Sequence, residues 1–584
     1  MPVADFELNS VTVSGWTTDA GWAIDSTQKA GGAYSAKLTT VDSAPYAILT
    51  TSNDSNSGNC QVVFSCRCVS TPSTSSRMAG FLRHSGASLA GGSHYMAYLN
   101  LNAGCQLWRR NAGVLTQLGA TVGTSATFVV SVWYRVVFKV TSAYIVTVAV
   151  QNLTDLKWLN SSGTWVTDTT AATVAITYDD SASGSKIVGV GKHGAGGLLV
   201  TGATSAGIYL DDIQVDYYKS DETVTVNADD SNLFFSPWAW RITGSGSSAK
   251  RTTANTGNYL KASFTGDSCS VRMDTANYGS ISNLHTDNPI IKYTVDGGAW
   301  VYRHVYSSDL ATGIRIGGIS GTGTHTLVLY YMTSTSTDDN WTTPVNAIVI
   351  SGMKLATTYA IAAPTLRTNR MLFYGDSITR GAAVAQTLLS VPDTDTRSIT
   401  DGQFAYTAAV AQGLDCEYGV IGFSGQGWIA TGTGNVPVFD TTWDLYSSGN
   451  SRLVSTLLSP APNYVLINHG TNDSAQTDAA VRAAIHNSTT HLGPLKDIRT
   501  GAGSSAWIFL MVPFGKIKST AISNGHADYI VDNGSDTKTK LIDLGTEAST
   551  GLTDTTRAGA TVAAYDGLHP NQSVSGRLAA LIVD

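Results

Sequence analysis

Up to about residue 355, hydrophobic positions fall in short runs rich in β-branched and aromatic residues, separated by Gly, Ser, Thr and Asn. Such runs predict strands, for example over 128–132, 134–140 and 145–150. Residues 1–218 read as one β-sandwich, closed by the run GIYLDDIQVDYY, and the polar KSDE that follows is a natural connection. The same pattern repeats over 222–355, where Asp296-Gly297-Gly298 between IIKYTV and AWVYRHV predicts a hairpin and THTLVLYY an alternating strand. This second sandwich is the smaller. The segment 356–369 reads as a linker that ends the β-rich part. From residue 370 the pattern changes to short apolar runs, MLFY, EYGVI, YVLIN, WIFLMV and LIDL, with helical stretches between them. Those stretches include DGQFAYTAAVAQGL, with Asp401 as its expected N-cap, and NQSVSGRLAALIV. Alternating strands and helices predict a parallel sheet covered by helices over 370–584.

The length, 584 residues, exceeds what one core usually serves, so a multidomain protein is expected. Charged residues make up 14 % and the formal charge is −7, the wrong sign for a partner recognised through phosphates; nucleic acid is not expected. The opening MPVADFELNS has no basic stretch followed by an apolar one, and no apolar run approaches the ~18 residues of a membrane span. The expectation is a soluble chain without a Sec signal, acting outside the cell or as part of a virion. Six cysteines are too few for a disulfide framework in this length, so buried free thiols are expected, with one bridge among Cys60, Cys66, Cys68 and Cys105 left open.

In a doubly wound sheet, ligands bind beyond the carboxyl ends of the strands. There the chain carries Gly375-Asp376-Ser377-Ile378 after MLFY, Gly422-Phe-Ser-Gly425 after EYGVI, and His469-Gly470-Thr471-Asn472-Asp473 after YVLIN, with Asp566-Gly-Leu-His569-Pro570 near the end. A serine hydroxyl becomes a nucleophile when an imidazole can take its proton, and that imidazole needs an acceptor on its other nitrogen. Ser377, His569 and Asp566 can fill these roles, and a spacing of three lets one loop deliver the last two. In order and content, the four blocks resemble the SGNH, or GDSL, hydrolase superfamily. The resemblance implies an oxyanion hole of the Ser377 and Gly425 backbone amides and the Asn472 side chain. The run from a strand ending at Arg241 through NYLKASFTGDSCSVRM, YTVDGG and GTGTHTLVLYY resembles the jelly roll preceding the catalytic domain in family-2 carbohydrate esterases. Residues 1–218 resemble concanavalin-like or laminin-G-like jelly rolls.

Each residue has a plainer reading. Gly-Asp-Ser recurs at 266–268, among strands, where Ser268 is expected to be structural. Gly422 and Gly427 compete with Gly425; Asp473 is expected to be structural; His469 abuts the Asn472 block without a carboxylate at loop spacing. His486, His491 and His526 are expected at the surface. Trp238, Trp240 and Trp300 suit either sugar stacking or a core. The absence of a G-x-S-x-G elbow argues against an α/β-hydrolase, and without H-E-x-x-H, a Walker loop or G-x-G-x-x-G, neither metal nor nucleotide cofactor is implied. The expectation is a serine esterase removing short acyl groups, acetyl above all, from a polysaccharide. The rival is a glycan-binding phage tail or adhesin component whose hydrolase domain is secondary or inactive.

Overall fold

The computed structural model describes residues 3–4, 16–18, 22–25, 35–38, 46–50, 60–69, 77–85, 92–155, 157–167, 173–187, 192–198, 207–217, 222–274, 289–305, 309, 313–317, 319, 323–333, 339–344, 347–382, 384, 400–513, 515–534, 536–544, 569–570 and 572–583. The N-terminal strands form a ten-stranded and a seven-stranded sheet. Phe64, Val136 and Phe138 of one pack with Leu82, Tyr95 and Leu107 of the other in a single core. Ile208–Tyr217 does close this unit, running antiparallel to Cys60–Cys68 at the centre of the larger sheet. Residues 128–132 are not a strand. Phe128 is buried edge-on against Tyr134, Val129 is exposed and Ser131 has φ 65°, so the run is a turn held by one aromatic anchor. All six cysteines are buried free thiols.

Two six-stranded antiparallel sheets follow, around Leu260, Phe264, Tyr293, Leu329 and Ile350. Asp296 and Gly297 turn the chain between Ile290–Val295 and Val301–His304 with φ 54° and 67°, both left-handed, in a turn closed by Gly298 N–H to Val295 C=O (3.0 Å). Thr324–Thr333 lies inside its sheet, as its alternation implies. The segment after 355 does not leave the β-structure at once, because Ile361–Ala362 pairs with Tyr259–Thr265. Trp238 and Trp240 are buried, whereas Trp300 is half-buried with its ring edge-on to Tyr330.

We number the elements of the last region separately. Strands β1 (Asn369–Gly375), β2 (Cys416–Gly422), β3 (Tyr464–Asn468), β4 (Trp507–Met511) and β5 (Thr539–Ile542) form one parallel sheet in the order β2-β1-β3-β4-β5. Its helices include α1 (Tyr406–Gly413), α2 (Asp478–Ile485), α3 (Pro494–Ala502), α4 (Ser519–Asp532) and α5 (Gln572–Val583). Side chains alternate along each strand: Leu372, Tyr374, Val465 and Ile467 enter one core, Met371, Phe373 and Leu466 the other. A sheet buried on both faces reads as unbroken apolar runs, which is what MLFY and YVLIN are. Asp401 is not the cap of α1, which begins at Tyr406; its carboxylate is buried against Lys292 Nζ (2.5 Å) from the preceding sandwich. The pair holds Asp401 away from the helix end, and Ala405 takes the N-cap position without a side-chain bond.

β2 is one of the two edge strands, yet its open side is covered. The Asn258 side chain accepts from Val420 N–H (2.9 Å) and donates to Val420 C=O (2.8 Å), as a neighbouring strand would. Tyr259 Oη accepts from Tyr418 N–H (3.0 Å) and Asn255 Oδ1 from Gly422 N–H (2.9 Å). Three side chains of the second sandwich thus occupy the outward groups of residues 418, 420 and 422. Among the described residues, no helix is long and apolar enough to cross a membrane.

Candidate active site

With the order β2-β1-β3, winding reverses beside β1, where doubly wound sheets leave a crevice at their carboxyl edge. Ser377 stands two residues beyond β1, in a helical turn closed by Arg380 N–H to Asp376 C=O (3.1 Å) and Ala382 N–H to Ser377 C=O (2.9 Å). It is 9 % exposed. His569, from the far end of the sequence, places Nε2 2.7 Å from Ser377 Oγ, the distance a base needs to take the hydroxyl proton. Asp566 lies outside the described residues. Of the three expected members, the structure therefore brings Ser377 and His569 together.

Asp376 is buried beneath this pair. Its Oδ1 accepts from Ile378 N–H (2.9 Å) and its Oδ2 from the Asn472 amide (3.0 Å). Burial pushes its carboxyl up to about 6, against the downward pull of the Ile378 N–H and of nearby His569. Asn472 Nδ2 also donates to Gln426 C=O (3.0 Å). Both hydrogens of the amide are thereby engaged, so an oxyanion at this position must share or displace one of these acceptors. The order of the blocks gave no hint of that competition.

Gly425 follows β2 with φ 76°, a left-handed conformation that favours glycine. An added Cβ would meet Thr433 at 3.4 Å and Gly432 at 3.7 Å, both ordinary contacts, so the demand is conformational. Gly427 answers a different demand. A Cβ there would lie 2.4 Å from both carboxylate oxygens of Asp473. Asp473 is fully buried and accepts from the N–H groups of Trp428 (2.8 Å), Ile429 (3.1 Å) and Ala430 (2.9 Å). It anchors the loop that carries Gly425, a structural part. Gly422 ends β2 and packs against Arg380.

His469 is buried with its ring 4.4 Å from that of Phe439, and its Nδ1 faces Gln426 C=O at 3.4 Å. Burial pushes its imidazole down to about 3, leaving it neutral. Ser268 donates to Asp267 (3.2 Å), which also accepts from Tyr359 Oη (3.0 Å), and no imidazole bonds it among the described residues. The surface expectation fails for His486, the C-cap of α2, which is fully buried with Nε2 2.7 Å from Asp532 Oδ2. His491 is exposed and His526 half-buried.

No protein-family model and no curated protein sequence matches this chain. Comparison with solved structures does find matches. Its structural neighbours include family-2 carbohydrate esterases. The enzyme from Cellvibrio japonicus is 15 % identical, with a TM-score of 0.47 over 62 % of this chain and 96 % of that one. The enzyme from Clostridium thermocellum, solved with cellohexaose, is 19 % identical, with a TM-score of 0.45 over 60 % and 97 %. An acetyl xylan esterase from Butyrivibrio proteoclasticus is 14 % identical, with a TM-score of 0.46 over 62 % and 96 %.

Sequence reasoning missed two supports of the site. Gln426 is buried, its amide donating to Pro437 C=O (2.7 Å) and Thr442 Oγ1 (2.8 Å), which fixes the carbonyl that meets Asn472. Arg380, four residues from Asp376, is buried and donates to Ser424 Oγ (3.2 Å), tying the serine turn to the glycine loop. Neither residue type carries a signature. Arg380 stands directly after GDSIT, and a guanidinium in an otherwise apolar and hydroxylic segment was the available signal.

Proposed function

We propose that this protein is a serine esterase that releases short acyl groups, acetyl above all, from a polysaccharide. The observation that carries the reading is the 2.7 Å contact of Ser377 Oγ with His569 Nε2 at the carboxyl edge of a parallel sheet. Ser377 attacks the ester carbonyl while His569 takes its proton, and the tetrahedral oxyanion collapses as His569 passes that proton to the departing sugar oxygen. Water, deprotonated by the same imidazole, then frees the acyl group from Ser377. Asp566 is assigned by its block to orient His569. The amides of Ser377 and Gly425, with the Asn472 side chain, are assigned to the oxyanion. The choice of an acylated polysaccharide follows from the sequence resemblance to family-2 carbohydrate esterases.

The test is hydrolysis of a chromogenic acetate ester and acetate release from a panel of acetylated glycans. Ser377→Ala and His569→Ala should each remove most turnover, and the double variant should match either single one, because the pair acts as a unit. Ser268→Ala should retain full activity. Wild-type turnover in Ser377→Ala would overturn the mechanism; glycan binding by a chain that hydrolyses no ester would replace it with a binding function.

A further inference from the structure

At the edge of the sheet opposite the candidate active site, three side chains converge. His486 follows the last residue of α2, His491 lies in the short loop beyond it, and Asp532 ends α4. His486 Nε2 and His491 Nδ1 face the same carboxylate oxygen, Asp532 Oδ2, at 2.7 and 2.8 Å. The three atoms lie within 4.8 Å of one another. We propose that this cluster is a binding site for a divalent transition metal, zinc by the chemistry of its donors, which clips the end of α2 to the end of α4.

The framework fits such a clip. Residues 487 and 492 form a bridge, Asn487 Oδ1 accepts from the N–H groups of Thr489 (2.9 Å) and Thr490 (3.1 Å), and His491 N–H donates to Asn487 C=O (2.7 Å). This tight loop holds His491 at φ 53°, a left-handed backbone that few non-glycine residues adopt, and turns its ring onto Asp532. His486 is fully buried, while the side chain of His491 is 55 % exposed, so the donors have a fixed inner member and a face open to water. Two imidazoles and one carboxylate suit zinc, and a solvent water completes four-coordination. Bonds of ~2.0–2.1 Å in a tetrahedron set donor atoms about 3.3 Å apart, so an entering ion needs each imidazole to draw back from Asp532 Oδ2 by roughly half an ångström. The same helices are joined nearby by Arg482 and Asp528, paired at 2.6 and 2.7 Å, which holds them in place before the ion arrives.

Location separates this ion from ester hydrolysis. Helices that follow parallel strands start at the carboxyl edge of the sheet and end at its amino edge, so the C-termini of α2 and α4 lie away from Ser377. A chelator should therefore lower stability and leave turnover intact.

The experiment uses the full chain, free of any affinity tag, stripped with EDTA and titrated with zinc chloride by calorimetry alongside thermal melts. One ion per chain should bind and raise the melting temperature, with affinity falling in acid because imidazoles must shed protons to ligate. His491→Ala, at an exposed position, and Asp532→Asn, which keeps the shape, should each weaken binding by at least about tenfold and abolish the melting shift. Lack of saturable binding, or binding equally strong in both variants, would overturn the proposal.

Discussion

Asn472 bonds Asp376 and Gln426 and is proposed to serve the oxyanion, and its variants test both roles. If its amide serves the oxyanion, Asn472→Ala should lower kcat by about 10²–10³ with little change in KM, since charge appears on that oxygen only in the tetrahedral state. The structure adds a second consequence. Removing the amide also strips a donor from the buried Asp376 carboxylate, so the melting temperature should fall as well. Asn472→Asp should be worse on both counts, because it sets a carboxylate against Asp376 and the Gln426 carbonyl. Unchanged kcat in Asn472→Asp would remove the residue from the site. Asp376 gives a pH signature. Its folded-state value, raised to about 6, means that the folded protein holds this proton where the unfolded chain has released it. The stabilisation is full below the unfolded carboxylate range near 4 and is lost as pH rises through about 6, at most about 3 kcal/mol. Thermal melts of wild type and Asp376→Asn from pH 4 to 8 should differ by that sloping component; parallel curves would show that Asp376 does not titrate there.

Among elements, β2 depends on its cover, since an uncovered edge strand is a template for pairing with other chains. Asn258 is fully buried and meets both polar groups of Val420. Asn258→Ala leaves a buried N–H and C=O without partners and should cost about 2–5 kcal/mol, read as a lowered urea midpoint. Self-association on partial unfolding should rise in parallel. A midpoint unchanged in Asn258→Ala would mean that water or a backbone shift replaces the amide. Strand existence was legible in the runs MLFY, YVLIN and THTLVLYY because burial on one face or two imposes a pattern on local sequence. The misread elements are those decided by distant partners. Residues 128–132 are apolar because Phe128 packs on the distant Trp165 as well as on Tyr134, while Val130 and Val132 lean on the same core, and Asp401 sits before a helix because Lys292 needs a counter-ion. Nothing within a few residues of either signals this.

For the whole molecule, the same division holds at the site. Ser377 and His569 were legible because their chemistry demands particular residue types at strand ends, and the structure puts them in contact across 192 positions. Asp473 was legible as a scaffold, since an Asp after a strand can cap the following loop and has no N–H to offer an oxyanion, and it bonds three successive amides. Gln426, Arg380 and the inward His486 were not, because their roles arise only when separate segments meet. The cover that Asn255, Asn258 and Tyr259 lay over β2 bears, finally, on how such a chain can be rearranged. A recombination joint placed between the second sandwich and the parallel sheet would hand the incoming sheet an open flank, whatever module stood before it. A joint near residue 220 severs none of these bonds. The second sandwich and the parallel sheet are thus a pair to be moved together.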